Sequence, residues 1–181
     1  IQKKGIEPKY KLINSKKIFE KILSEIEKKG ICAIDTETNS LNIENAKLVG
    51  ISICYSENIS YYIPINHTTP DGSKKIDNQL EENYVINHIK KICKNESILK
   101  IGQNIKYDIR ILNKYGITFN SIADTMLISY SIDNGIYKHN LDDLSFNHLN
   151  HTTIKYKEVV GTGKNEITFD KVTIENAVNY A

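Results

Sequence analysis

Four apolar residues, Ile31-Cys32-Ala33-Ile34, run directly into Asp35-Thr36-Glu37. The run is short and built from small and branched side chains, which predicts a buried strand. Side chains alternate between the two faces of a strand, so Asp35 and Glu37 point one way and Thr36 the other. Two carboxylates held side by side at a strand mouth repel each other and are costly without a cation between them. Hard divalent metals prefer oxygen ligands, so the pair is a candidate metal cradle. Taken alone it is also compatible with a solvated strand end, because D-x-E strings arise often by chance.

The surrounding pattern supplies a fold for this strand. Residues 10–13 read as a short strand, and Ser15 caps a helix to residue 29 with Ile18, Ile22, Leu23 and Ile26 on one face and Gly30 as its stop. Strands follow at 31–37, 48–55 and 61–65, then a helix at 78–94 with Val85, Ile86, Ile89 and Ile92 as its apolar stripe. A strand at 98–101 precedes a helix at 104–115, and further helices are predicted at 124–132, 141–149 and 173–180. Segments 68–78 and 156–170 read as exposed loops. Neighbouring strands first, then strands mixed with helices, predict an α/β domain with a mixed central sheet flanked by helices. A chain of 181 residues fits one such domain. Cys32, Cys54 and Cys93 show no C-x-x-C spacing and read as reduced core residues, and no run of 18 apolar residues occurs.

A second polar string, Gly102-Gln103-Asn104-Ile105-Lys106-Tyr107-Asp108, sits where a strand hands over to a helix. The spacing of four puts Asn104 and Asp108 on one helix face near its N-terminus, where unpaired N–H groups and the helix dipole favour an anion or a metal-bound carboxylate. The plainer alternative is that Asn104 caps the helix and Asp108 is a surface acid. Asp35, Glu37 and Asp108 together would supply most of what two-metal phosphodiester hydrolysis needs, with cations roughly 4 Å apart. No serine, cysteine or histidine arrangement competes for a nucleophilic mechanism, and His148 with His151 lacks a third ligand. Gly161-Thr162-Gly163-Lys164 is not a phosphate loop, because Asn165 stands where Ser or Thr is required. Net charge is only +2 and Arg110 is the single arginine, so nucleic-acid contact must come from a local patch dominated by lysines.

These strings resemble those of a known family. Asp35-Thr36-Glu37-Thr38 with Leu41 is similar to the first exonuclease motif of the 3′–5′ proofreading domain of family A (bacterial polymerase I-like) DNA polymerases, and residues 102–108 are similar to its second. Asp124-Thr125-Met126-Leu127, His139-Asn140-Leu141-Asp142 and residues 161–169 recur in the same order, and Tyr180 falls where the third motif, tyrosine-x-x-x-aspartate, begins. The resemblance spans nearly the whole chain. It implies an RNase H-like (DEDD exonuclease) fold over residues 1–181, truncated at the C-terminus just before the end of the third motif. It implies two ions of Mg²⁺ or Mn²⁺ held by Asp35, Glu37 and Asp108, with Tyr180 orienting the attacking water.

By the same resemblance Leu41 is a wedge against the terminal bases, Thr38 and Asn104 touch the 3′-terminal nucleotide, and Gln103, Lys106 and Tyr107 are further strand contacts. The implied partners are a single-stranded DNA 3′ end and an attached polymerase domain, with no membrane. A fourth acid, due four residues after Tyr180, would lie past Ala181, so the chain as it stands is expected to be weak or inactive while its parent is active. Asp124, Asp142, Asp143 and Asp170 are not its substitutes; Asp124 is expected to stabilise its own helix or a neighbouring loop. The richness in Ile, Asn and Lys, whose codons are A/T-rich, adds the apicomplexan plastid (apicoplast) as the implied location. The alternatives are an RNase D-like RNA 3′-exonuclease, and a non-catalytic domain that holds single strands for a polymerase.

Overall fold

The computed structural model describes residues 8–133 and 138–181. Among them, strands β1 (Lys9–Leu12), β2 (Ile31–Thr38), β3 (Leu48–Ser56), β4 (Ile59–Pro64), β5 (Leu99–Gly102) and β6 (Ile122–Asp124) form one sheet in the order β1-β4-β3-β2-β5-β6. β2, β3 and β4 pair antiparallel, whereas β1 joins β4, β5 joins β2 and β6 joins β5 in parallel. Parallel joins need long crossovers, and helices supply them. Thus α1 (Lys16–Lys29) precedes β2, α2 (Glu82–Lys94) precedes β5 and α3 (Lys106–Asn113) precedes β6. The chain continues through α4 (Thr125–Ile132), α5 (Leu141–Leu149), α6 (Tyr156–Val160) and α7 (Ile174–Tyr180). This is the mixed α/β sheet with flanking helices that the order of strands and helices predicts.

β2 alternates as expected: Cys32, Ile34, Thr36 and Thr38 are buried, while Ile31, Ala33 and Asp35 are open and Glu37 partly so. The buried row continues through Ile51, Ile53 and Ile63 into the main core, which Phe19, Ile22, Leu23 and Ile26 of α1 and Val85, Ile86, Ile89 and Ile92 of α2 close. Each such side chain contributes about 2 kcal/mol on burial, so these two helices dominate the stability of that face. Ile18 is not among them; it is 47% exposed, and Phe19 takes its place. Positions 19, 22, 23 and 26 follow the three-and-four spacing of a helical stripe, and Ile18 falls one residue outside it.

Several boundaries move for local reasons. Ser15 stands at the N-cap of α1 but its side chain accepts no capping hydrogen bond, whereas Gly30 ends the helix in the left-handed conformation (φ 68°) with its N–H on the Ile26 carbonyl. Helix α2 starts at residue 82 rather than 78, because the Glu81 carboxylate accepts the N–H groups of Asn83 and Tyr84. Helix α3 starts at residue 106 rather than 104, and Asn104 itself has φ 53°. β6 has no counterpart in the sequence reading; three residues are too few to show a period.

The other face of the sheet carries a smaller cluster of Val49, Tyr62, Val160, Phe169, Val172 and Ala177. It corrects the reading of 156–170 as a loop, although most of the stretch is exposed as read: it holds α6 and turns of 3-10 helix at Gly163–Asn165 and Phe169–Lys171. Its apolar anchors, Val160 and Phe169, are too sparse among polar residues to reveal short helices by periodicity. The parallel strands β2, β5 and β6 all end on the same edge, the edge at which open α/β sheets leave a crevice. Asp35, Glu37, Gly102 and Asp124 gather there.

Candidate active site

A cleft of about 370 Å³ opens at that edge, lined by Asp35 and Glu37 of β2, Ser52 of β3, Gln103 after β5, and Tyr180 at the end of α7. Four of the residues singled out from sequence therefore meet in one cavity, although they are up to 145 positions apart in the chain. Asp142 also lines it and is held by Lys155 at 2.7 Å and by the Thr153 hydroxyl.

The carboxyls of this cleft perturb one another. Enclosure by the cleft walls raises the pKa of Asp35, the nearby Asp108 raises it further, and the Thr36 N–H opposes both. Glu37 is pushed well above the usual carboxylate range by burial and then by Asp35 and Asp108. Asp35 is nevertheless open to water along its strand. The shifts thus reflect first the enclosing cleft walls and then the crowding of like charges. Among the described residues neither ion pair, Lys28–Glu25 nor Lys155–Asp142, involves these acids. Nor are three His, Cys, Asp or Glu side chains drawn together tightly enough there to cage a metal ion. The acids form an open group of oxygen donors with uncompensated mutual repulsion, a donor set that fits hard divalent cations.

Asp108 owes its place to a gap in the sheet. β5 pairs with β2 only as far as Ala33↔Ile101, so the later N–H groups on that side of β2 have no ladder partner. Oδ1 of Asp108 fills the gap, accepting the Thr36 N–H at 2.9 Å and the Thr36 hydroxyl at 2.6 Å. Burial raises the Asp108 pKa while these hydrogen bonds lower it. The adjacent residues are knitted likewise: the hydroxyls of Thr38 and Tyr107 lie 2.6 Å apart, and both reach the Ser40 carbonyl.

The expectation of unpaired N–H groups before α3 needs correction. The backbone N–H groups of Asn104 and Ile105 donate to the two carboxylate oxygens of Asp124 at 3.0 and 3.1 Å, so the anion at this turn is a side chain of the protein itself. Asp124 also caps α4 by accepting the Met126 N–H, and so stabilises both its own helix and a neighbouring loop. Asn104 is neither in α3 nor its N-cap. Gln103 is fixed by the Thr125 hydroxyl at 2.5 Å and by donating to the His139 carbonyl at 2.7 Å. Tyr180 is half-buried, its phenol pKa raised by burial and then by Glu37 and Asp35, which places it electrostatically in the carboxylate group. Leu41 is 84% exposed, and Asn104 and Lys106 are also exposed; all three lie outside the cavity lining.

Sequence reading missed Thr36 as the anchor of Asp108, Asp142 as part of the lining, and a buried Tyr62–His67 pair. Asp124, by contrast, carried a local signal, an acid immediately before an apolar helix, and was read from it.

Comparison with known proteins follows this geometry. A family model described as 3′-5′ exonuclease matches residues 10–181. DNA polymerase I of Rhizobium leguminosarum is 41% identical over 165 residues, covering 84% of this chain and 16% of the relative. DNA polymerase I of Pseudomonas aeruginosa is 34% identical over 166 residues, covering 90% of this chain and 18% of the relative. The chain thus spans less than a fifth of the length of these curated relatives. Among solved structures, Brucella melitensis NrnC with bound Mg²⁺ superposes with a TM-score of 0.64 at 20% identity, over 97% of this chain and 73% of that one, a likeness of fold.

Proposed function

Because the chain belongs to the 3′-5′ exonuclease family of DNA polymerase I-like proteins, matched over residues 10–181, we propose that it removes nucleotides from the 3′ end of single-stranded or frayed DNA, proofreading for a polymerase domain of the same polypeptide. The observation that carries the reading is the convergence of Asp35, Glu37 and Tyr180 in one cleft beside Asp108, with like charges that no described basic side chain compensates.

Asp35, Glu37 and Asp108 would hold Mg²⁺ or Mn²⁺, two ions per site. Such ions, when bound, supply Lewis acidity to an attacking water and to the leaving oxygen. The protein's own part is positioning. Tyr180 orients the water from the α7 side of the cleft. Gln103, held by Thr125 and the His139 carbonyl, presents a fixed amide to the strand. Thr38 and Tyr107 hold the loop after β2 through Ser40, and with it Leu41, whose exposed apolar side chain wedges against the terminal bases. Asn104 and Lys106 are exposed and free to meet a phosphate backbone. The family's third motif would place a fourth carboxylate four positions after Tyr180.

The test uses the intact polypeptide with 5′-labelled single-stranded DNA and Mg²⁺, beside an Asp35→Ala/Glu37→Ala double mutant and a matched RNA oligonucleotide. A ladder shortening from the 3′ end of the DNA, lost in the mutant, is expected. Faster shortening of the RNA would reassign the substrate to RNA, and no shortening of either would leave a single-strand-holding domain. Apicoplast residence, which rests on the Ile, Asn and Lys bias, is part of the proposal and is tested by imaging the tagged protein in its own cell.

A further inference from the structure

Behind the carboxylates, strand registers place two cross-strand rows on one face of the sheet: Asp35–Ser52–Tyr62 and Glu37–Gly50–Pro64. Tyr62 leans out of its own row into the next. A Cβ at Gly50 would come within 2.1 Å of the Tyr62 hydroxyl oxygen, so the phenol occupies the space that only glycine leaves open at the position paired with Glu37.

Tyr62 is 1% exposed and His67 0%, and their polar atoms are fully spoken for. His67 Nδ1 lies 2.9 Å from the Val172 carbonyl, which can only accept, so Nδ1 carries the proton and Nε2 is bare. The Tyr62 hydroxyl therefore donates to Nε2, at 2.7 Å. Val172 immediately precedes Thr173, the residue whose side chain caps α7, and α7 ends at Tyr180. The rings make a second route to the same place. Tyr62 and His67 are 5.8 Å apart between centroids, His67 and Phe169 6.0 Å, Phe169 and Tyr180 5.6 Å. A hydrogen-bonded route through Val172 and an aromatic route through Phe169 thus both run from Tyr62, whose phenol lies over the Gly50 that pairs with Glu37, to the helix carrying Tyr180.

Packing alone does not call for this chemistry. Phenylalanine at position 62 would fill nearly the same volume without desolvating a hydroxyl and an imidazole. What the polar pair adds is a fixed direction and length. We propose that Tyr62 and His67 are positioning residues of the exonuclease centre, setting the placement of the Tyr180 hydroxyl relative to Glu37. The inference rests on the function proposed above, in which Tyr180 orients the attacking water. Misplacement of such a group by about 1 Å can cost up to about a hundredfold in rate.

Two measurements on the intact polypeptide separate the outcomes, with Tyr62→Phe as the conservative variant and His67→Gln as the second. In the first, 3-fluorotyrosine is incorporated and the Tyr180 fluorine resonance is assigned by its loss in Tyr180→Phe. Both variants should shift or broaden that resonance while the protein still melts cooperatively, and an unmoved Tyr180 signal overturns the inference whether or not the protein is an active nuclease. In the second, Tyr62→Phe should lower kcat on single-stranded DNA about tenfold at unchanged KM, and should have no further effect in a Tyr180→Phe background. An equal loss in both backgrounds, or no loss at all, means that Tyr62 does not act through Tyr180 and overturns the inference. A wild-type protein without nuclease activity would instead count against the proposed function, leaving the fluorine result to decide the positioning.

Discussion

Asp35 and Asp108 bind protons more tightly in the folded chain than in the unfolded one, because crowding and burial raise both pKa values. An acid raised in this way makes the folded state carry more protons than the unfolded state between the ordinary carboxylate range and the raised value, so stability falls as pH rises through that window. The metal-free protein should therefore melt at a higher temperature near pH 5 than near pH 8, and millimolar Mg²⁺ should flatten the difference. Melting temperatures that climb steadily with pH in chelator would contradict the assignment. Ser52 sits beside Asp35 in the sheet with its hydroxyl buried and unbonded. Ser52→Ala should be neutral or stabilising by about 1 kcal/mol in thermal melts; a clear loss of stability would mean that the hydroxyl holds a water there. The acids themselves were legible because D-x-E after an apolar strand is a local pattern. The bond that holds Asp108 was not, since its partner, Thr36, is 72 residues away.

Strands and helices meet here through a few residues of special shape. Gly50 admits Tyr62, and Gly50→Ala should cost about 3 kcal/mol in chemical denaturation, since the clash falls on a buried ring with no room to retreat. Asp124 joins β6, α4 and the turn before α3 by three backbone N–H groups. Asp124→Ala should lower stability by about 3 kcal/mol, the sum expected for a lost cap and buried donors left unpaired; a change below 0.5 kcal/mol would show those donors to be satisfied otherwise. At this scale the sequence was readable wherever one element buries one stripe, as in α1 and α2, and opaque where an element is defined by what lies across from it. β6 exists because β5 offers it an edge, and 156–170 folds because Tyr62 and Val49 offer it an apolar floor.

The whole molecule is covered unevenly. α1, α2 and α3 seal one face, but Leu127 and Ile132 of α4 and Phe146 and Leu149 of α5 are 53%, 73%, 59% and 72% exposed. Ile132→Lys with Leu149→Lys should leave the melting temperature of the chain within about 2 °C of wild type, because little burial is lost; a large drop would show that these side chains are packed in solution. In the proposed function, catalysis and architecture overlap at one side chain. The oxygen of Asp108 that closes the gap in β2 stands in for a missing strand, so the side chain assigned to the metal site also holds the sheet. Removing the side chain unlatches the very strand that carries the other acids, while Asp108→Asn keeps an acceptor and removes only the charge. Under the proposed function, a lesion that truncates this residue would surface in a cell as scarce, short-lived protein before it surfaced as uncorrected DNA, and the two kinds of loss would be inherited through a single codon.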